Sequence, residues 1–207
     1  MQHILSLLYK GFRKLFFRFK YFCDGCLCRV LFYLNKIKHE GLSTKGIPKI
    51  MVARGGYMSI GKGFRMNNTP ASNPIGCMQP CMFFVNCGAK LIIGENTNIS
   101  QTALVCHTDI YIGDNVKIGG GVCIYDTDFH SLDKMNRMSM QKDFENKKVS
   151  PITIEDNVFI GAYSTILKGV TIGENSIIGA CSLVANSVPA NEIWGGNPAK
   201  KIKSISS

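Results

Sequence analysis

The chain has 207 residues, a formal charge of +10 and nine cysteines, enough for one ordinary domain and an appendage. The charge is lopsided: residues 1–49 hold ten Lys/Arg against Asp24 and Glu40, a balance of +8, while residues 50–207 hold fourteen against twelve. This excludes a nucleic-acid groove on the main body and points the N-terminal part at an anionic surface. The cysteines lack the spacing of a secreted disulfide framework, and a reducing cytoplasm is expected.

Residues 3–22 carry basic and apolar groups at helical spacing. Lys10, Lys14 and Arg18 recur every four residues, with Arg13 and Lys20 nearby; Leu8, Phe12, Leu15, Phe16, Phe19 and Phe22 supply another side. Two readings stand open for this basic amphipathic helix: peripheral contact of residues 1–40 with a membrane surface, or packing on the main domain or a partner subunit. No run of eighteen uncharged apolar residues is present, so no spanning helix is expected. A second apolar stretch, Leu27–Ile37, is expected to fold back on the first as a helical hairpin. Between them Cys23, Cys26 and Cys28 are spaced as zinc ligands can be, with His39 as a fourth, but no second cysteine pair follows, and no metal is expected. Gly41–Pro48 has a linker's composition and sets the domain boundary at 45/46.

From Ile154 the sequence divides every six residues as IEDNVF, IGAYST, ILKGVT, IGENSI, IGACSL and VANSVP. An aliphatic residue opens each block (Ile154, Ile160, Ile166, Ile172, Ile178, Val184), and the fifth place is small or β-branched. A period of six fits neither a helix nor a lone strand. It fits a parallel β-helix, in which three six-residue sides make one turn and stacked turns share a core. Glycine in the second place (Gly161, Gly173, Gly179) is expected to turn the corners. Upstream, blocks at Ile60 and Val85 flank a Pro- and Asn-rich loop at 67–80. The beat firms at Ile93, Ile99 and Val105, takes one extra residue at Tyr111, and resumes at Ile112, Ile118 and Ile124. The fold class is all-β: a parallel β-helix over 46–203 with an N-terminal helical appendage over 1–45.

The beat then fails over residues 126–151. A long insertion in a regular coil is a place to look for function. It opens Asp126-Thr127-Asp128-Phe129-His130-Ser131-Leu132-Asp133. That loop, the hexapeptide beat and the ending Gly195-Gly196-Asn197-Pro198-Ala199-Lys200 together resemble the hexapeptide-repeat acyltransferases. The likeness is greatest to the maltose and galactoside O-acetyltransferases and to the capsule or lipopolysaccharide O-acetyltransferases, and it covers residues 85–203.

The resemblance implies a left-handed coil, a homotrimer with active sites between subunits, acetyl-CoA as donor, and a sugar or glycan hydroxyl as acceptor. It makes His130 the general base, which takes the hydroxyl proton as the oxygen attacks the thioester. Asp126 or Asp128 is expected to orient the ring, as the third member of a triad does. The resemblance places the oxyanion donor at the Ala162 N–H. It places coenzyme A along Phe159, Gly161, Ala162, Gly179, Ala180 and Ala185, with Lys200 and Lys203 for its 3′-phosphate end. Phe159 stands where relatives often carry Trp, and Ala185 where many carry Thr, so an indole N–H and a hydroxyl contact are missing here. His107 and Asp109 are the acceptor-side candidates. Two other functions stay open: transfer to an antibiotic-like hydroxyl, which shares the loop but has no use for a basic apolar N-terminus, and a non-enzymatic trimeric scaffold at a membrane. A zinc enzyme on this coil would need three histidines, and the repeat region holds only His107 and His130.

Overall fold

Apolar side chains six residues apart can all point inward only if the chain turns a corner after each short strand. The computed structural model, which describes residues 1–77 and 79–205, has this form. After α1 (Gln2–Leu34), the first coil is β1 (Lys38–His39), β2 (Leu42–Lys45) and β3 (Lys49–Val52). The second is β4 (Tyr57–Ile60), β5 (Phe64–Asn67) and β6 (Met82–Val85), and the third is β7 (Lys90–Ile93), β8 (Asn98–Ser100) and β9 (Ala103–Cys106). The fourth is β10 (Asp109–Ile112), β11 (Lys117–Gly120) and β12 (Cys123–Tyr125). Two short helices, α2 (Lys134–Arg137) and α3 (Met140–Asn146), lie in the insertion that follows. The fifth coil is β13 (Ile152–Ile154), β14 (Phe159–Ile160) and β15 (Thr165–Leu167), and the sixth is β16 (Thr171–Ile172), β17 (Ile177–Ile178) and β18 (Leu183–Val184). The chain closes with β19 (Glu192–Gly196) and, antiparallel to it, β20 (Ala199–Ser204).

Every third strand pairs in parallel, giving three flat sheets. Interior side chains form three columns. One is Ile60, Ile93, Ile112, Ile154 and Ile172; the second is Met66, Ile99, Ile118, Ile160 and Ile178; the third is Phe83, Leu104, Ile124, Ile166 and Val184. All are buried, and full burial of such a side chain contributes about 1.5–3 kcal/mol.

Several expectations change. Leu42–Lys45 is no linker: it is β2, with Leu42 and Thr44 buried, so the coil starts at Lys38. Leu27–Ile37 makes no hairpin, because α1 runs unbroken to Leu34. Only Gly25, Cys28 and Phe32 of α1 are buried, and the Asp24 carboxylate, paired within the helix with Lys20 (3.0 Å), ties the helix to the coil by accepting the Gly46 N–H (2.9 Å). Cys28 faces the coil while Cys23 and Cys26 are exposed, so the three thiols do not converge. In the third coil Leu104, not Val105, faces inward; the corner before it is short and turns at Gln101 in the left-handed region (φ 49°). The second-place glycines do not turn the corners either. Left-handed φ falls at the fourth place, on Asn157, Tyr163, Gly169, Asn175 and Cys181, and asparagine tolerates that region better than most residues. Gly161 and Gly173 are needed for a different reason: a Cβ there would run into the backbone nitrogens of Ala180 and Ala190 on the next coil.

Candidate active site

The insertion leaves the coil after β12 and returns into β13, and its two ends are tied together. Thr127 bridges Val149; the Asp128 N–H donates to the Lys148 carbonyl (3.0 Å) and the Ser150 N–H to the Asp126 carbonyl (3.0 Å). Beyond this neck the His130 N–H donates to the Asp128 carbonyl (2.7 Å), closing a turn whose central residue, Phe129, is left-handed (φ 62°). An aromatic side chain in that conformation costs on the order of 1–3 kcal/mol, and such strain concentrates at functional sites. The turn throws His130 outward, with its side chain 71% exposed.

The carboxylate on His130 is that of Asp143. Its Oδ2 lies 2.6 Å from Nδ1, and its Oδ1 accepts the Ser131 N–H (2.6 Å). Local sequence explains the reach. Asp133 caps α2 by accepting the Met135 N–H (2.8 Å), and Ser139 opens α3, whose first turn carries Asp143 back over the loop. Arg137 clamps the Ser131 carbonyl (2.6 Å), so the backbone beside the histidine is held from both sides. The hydrogen bond from His130 and then that from Ser131 hold the Asp143 carboxyl below its ordinary range. An Nδ1–H donated to Asp143 leaves Nε2 with its lone pair, the tautomer a general base requires.

Asp126 and Asp128 do not orient the ring. Asp126 is fully buried and accepts the N–H groups of His107 and Thr108, both at 2.7 Å. Burial pushes its carboxyl up, and those N–H bonds oppose the shift. Asp128 pairs with Lys168 (2.6 Å) from the next coil. These two residues therefore anchor the neck. His107 lies near the root of the loop, its N–H held by Asp126. It stacks on Phe84 (centroids 5.3 Å apart), meets the edge of Phe129, and has Nδ1 3.3 Å from the Asn86 amide. Desolvation, and then nearby Lys147, lower its pKa. Asp109 opens β10 and is exposed, with only a long contact from Thr108 (3.5 Å).

The remaining expected residues gather elsewhere. Gly161 and Ala162 form one corner and Gly179 and Ala180 the same corner one coil on, with the Cys181 N–H donating to the Ala162 carbonyl (2.8 Å). Among the described residues the Ala162 and Ala180 N–H groups donate to no backbone acceptor. Phe159 faces outward beside Lys117 and Ile177 and lines an open groove of ≈ 730 Å³ with Asn96, Asn115, Asn157 and Asn175. Ala185 is exposed just after β18. Lys200 and Lys203 are exposed on β20, where Lys201 pairs with Glu192. Within one chain, then, the structure joins Phe159, Gly161, Ala162, Gly179 and Ala180 but sets His130 at a different corner. Sequence reasoning missed Asp143. Ser139 as a helix cap was the available signal for α3, but nothing in the spacing says that this helix folds back onto His130.

Residues 151–186 match the family described as bacterial transferase hexapeptide (six repeats). The chain carries the bacterial transferase hexapeptide repeat. Its hexapeptide coil is the left-handed parallel β-helix expected above. The chain is 35% identical over 130 residues to galactoside O-acetyltransferase of Escherichia coli K12, covering 62% of this chain and 60% of that one. It therefore spans about three fifths of that curated relative's length. Among solved structures it is similar to a hexapeptide-repeat-containing acetyltransferase of Vibrio cholerae complexed with acetyl coenzyme A, at 36% identity and TM-score 0.52, covering 56% of this chain and 61% of that one. A mutant of AntD, an N-acyltransferase of Bacillus cereus, in complex with dTDP and coenzyme A, is similar over more of the coil: 25% identity and TM-score 0.63, covering 84% of this chain and 88% of that one.

Proposed function

We propose that this protein transfers an acetyl group from acetyl-CoA to a hydroxyl of a sugar or glycan, directly, with His130 as general base. The observation that carries the reading is the His130–Asp143 pair (2.6 Å) on the exposed loop that interrupts the hexapeptide coil. Nε2 takes the hydroxyl proton as the oxygen attacks the thioester carbonyl. The Ala162 N–H receives the oxyanion, and collapse expels the coenzyme A thiolate, which the imidazolium reprotonates. Asp143 orients the ring and steadies its positive charge. The likeness to the Vibrio cholerae acetyltransferase supports acetyl-CoA as donor, and the likeness to galactoside O-acetyltransferase supports a sugar-type acceptor.

On this reading Phe159, Gly161, Gly179, Ala180 and Ala185 line the pantetheine path, Lys200 and Lys203 meet the phosphate end, and His107 and Asp109 face the acceptor. Because His130 and Ala162 stand at different corners of one chain, the working unit is a homotrimer in which the loop of one protomer meets the corner of its neighbour. Residues 1–40 hold this body at a membrane surface in a reducing cytoplasm, which suits a surface-polysaccharide precursor as acceptor. The test is acetyl-CoA-dependent acetylation of a panel of free and lipid-linked sugars by wild type and His130→Ala. The variant is expected to lose about 10²–10⁴-fold in rate with its affinity for coenzyme A intact. Equal transfer by both proteins refutes the assignment of His130.

A further inference from the structure

The helix α1 packs on its own coil with the wrong face to hide its apolar side. At about 100° per residue, Gly25, Cys28 and Phe32 form a narrow seam, and these are the helix residues that the coil buries. The apolar side chains Leu8, Phe12, Phe16, Phe19, Phe22 and Leu27 lie on nearly the opposite side. Each is at least half exposed, in an arc about 140° wide on a helix about 50 Å long. An arc this wide is broader than the seam one partner helix covers and suits a planar apolar phase. Its borders are basic: Arg13 and Lys20 run along one edge, Arg18 and Arg29 along the other. Asp24 is the single acidic residue of α1 and is already paired with Lys20. No helix among the described residues is long and apolar enough to cross a membrane, so this face has to be covered from the side.

We infer that α1 lies in the plane of an anionic bilayer surface, seated by the Phe12–Phe19 face, with the coil held beneath it by the Gly25–Cys28–Phe32 seam. This deepens the membrane reading above by naming the face, the charge of the lipid and the lie of the helix. The apolar face enters the boundary between head groups and acyl chains, while the basic borders reach lipid phosphates.

The test is co-sedimentation of the full chain with vesicles of phosphatidylcholine alone or mixed with phosphatidylglycerol. Binding is expected to the mixed vesicles only. Phe12→Glu/Phe19→Glu is expected to abolish it, and Arg13→Gln/Arg18→Gln to weaken it about thirtyfold. Phe12→Ser/Phe19→Ser serves if the acidic variant misfolds, since both positions lie ahead of the seam. Equal binding to both vesicle types, or to neither, overturns the inference. So does a vesicle-free assembly that falls to smaller units in Phe12→Glu/Phe19→Glu, because a second copy would then be the occupant. Acetyl transfer to a soluble sugar, measured on the same variants, is expected to be unchanged. Its absence from the wild type as well would sink the proposed reaction without touching the docking of α1.

Discussion

Replacing Asp126 by alanine separates an anchoring role from a catalytic one. The carboxylate is fully buried and accepts two N–H groups, from His107 and Thr108, at 2.7 Å each. Its removal orphans both donors, at about 1–3 kcal/mol apiece. Relief from burying a charge offsets part of this, so the net loss is about 2–4 kcal/mol. For a chain of this size that lowers Tm by roughly 5–15 °C. The pH dependence has a definite sign. Burial raises the folded pKa of Asp126 above its ordinary 3.8. Its contribution is therefore full below that value and is lost as pH rises through the raised one. The margin of wild type over Asp126→Ala should narrow across the same interval. Thermal melts by circular dichroism at several pH values measure both effects, alongside the acetyl-transfer rate. An unchanged Tm with a collapsed rate would refute the anchoring argument and return Asp126 to the ring of His130.

Asp143→Asn should weigh the other way, lowering kcat by about 10–10²-fold with only a small loss of Tm near neutral pH, since the pair is exposed. Asp143 has a depressed folded pKa, so its contribution is present above 3.8 and fades as pH falls through the depressed value; the variant should show a flatter acid limb in a Tm-versus-pH series. Gly119→Ala would put a Cβ 2.6 Å from the Ala162 nitrogen and 2.9 Å from its Cα. It should cost about 1–3 kcal/mol and, on the proposed mechanism, slow transfer by displacing the Ala162 N–H, and wild-type kinetics in this variant would contradict that role. Lys200→Ala/Lys203→Ala should raise the KM for acetyl-CoA about tenfold, yet leave the KM for its 3′-dephospho form unchanged, since only a phosphate contact is lost.

Much of this was legible in the sequence because the repeat is regular. Ile154, Ile160, Ile166, Ile172, Ile178 and Val184 are fully buried as the beat required, since an inward column tolerates no slip. The pattern is silent where a feature rests on a neighbouring coil and not on its own block. Gly161 is fixed by the Ala180 nitrogen one coil away, a contact the linear pattern does not display. Val105 was displaced by a corner one residue short, whose turn at Gln101 has no signature like glycine's. The insertion was found by its lack of period, but the same lack hid its internal pairing. Three acidic residues near His130 in sequence are engaged elsewhere, and the one on its ring lies 13 residues downstream. Proximity along an irregular loop carries little information about proximity in space.

Cys28 and Phe32 of α1 join the buried core at the first coil, and β20 doubles back on β19 at the last. A stacked coil with bare ends would present the same unpaired backbone rungs at top and bottom, and each molecule would be a template for the next. One end is stoppered here by a helix, which has no rungs to offer. At the other, one of the three sheets closes in a strand of reversed direction rich in lysine, and like charges on meeting tips repel. The fold that is built by repetition is thus kept finite by the two segments that do not repeat, and a preparation trimmed of α1 should be watched for fibres.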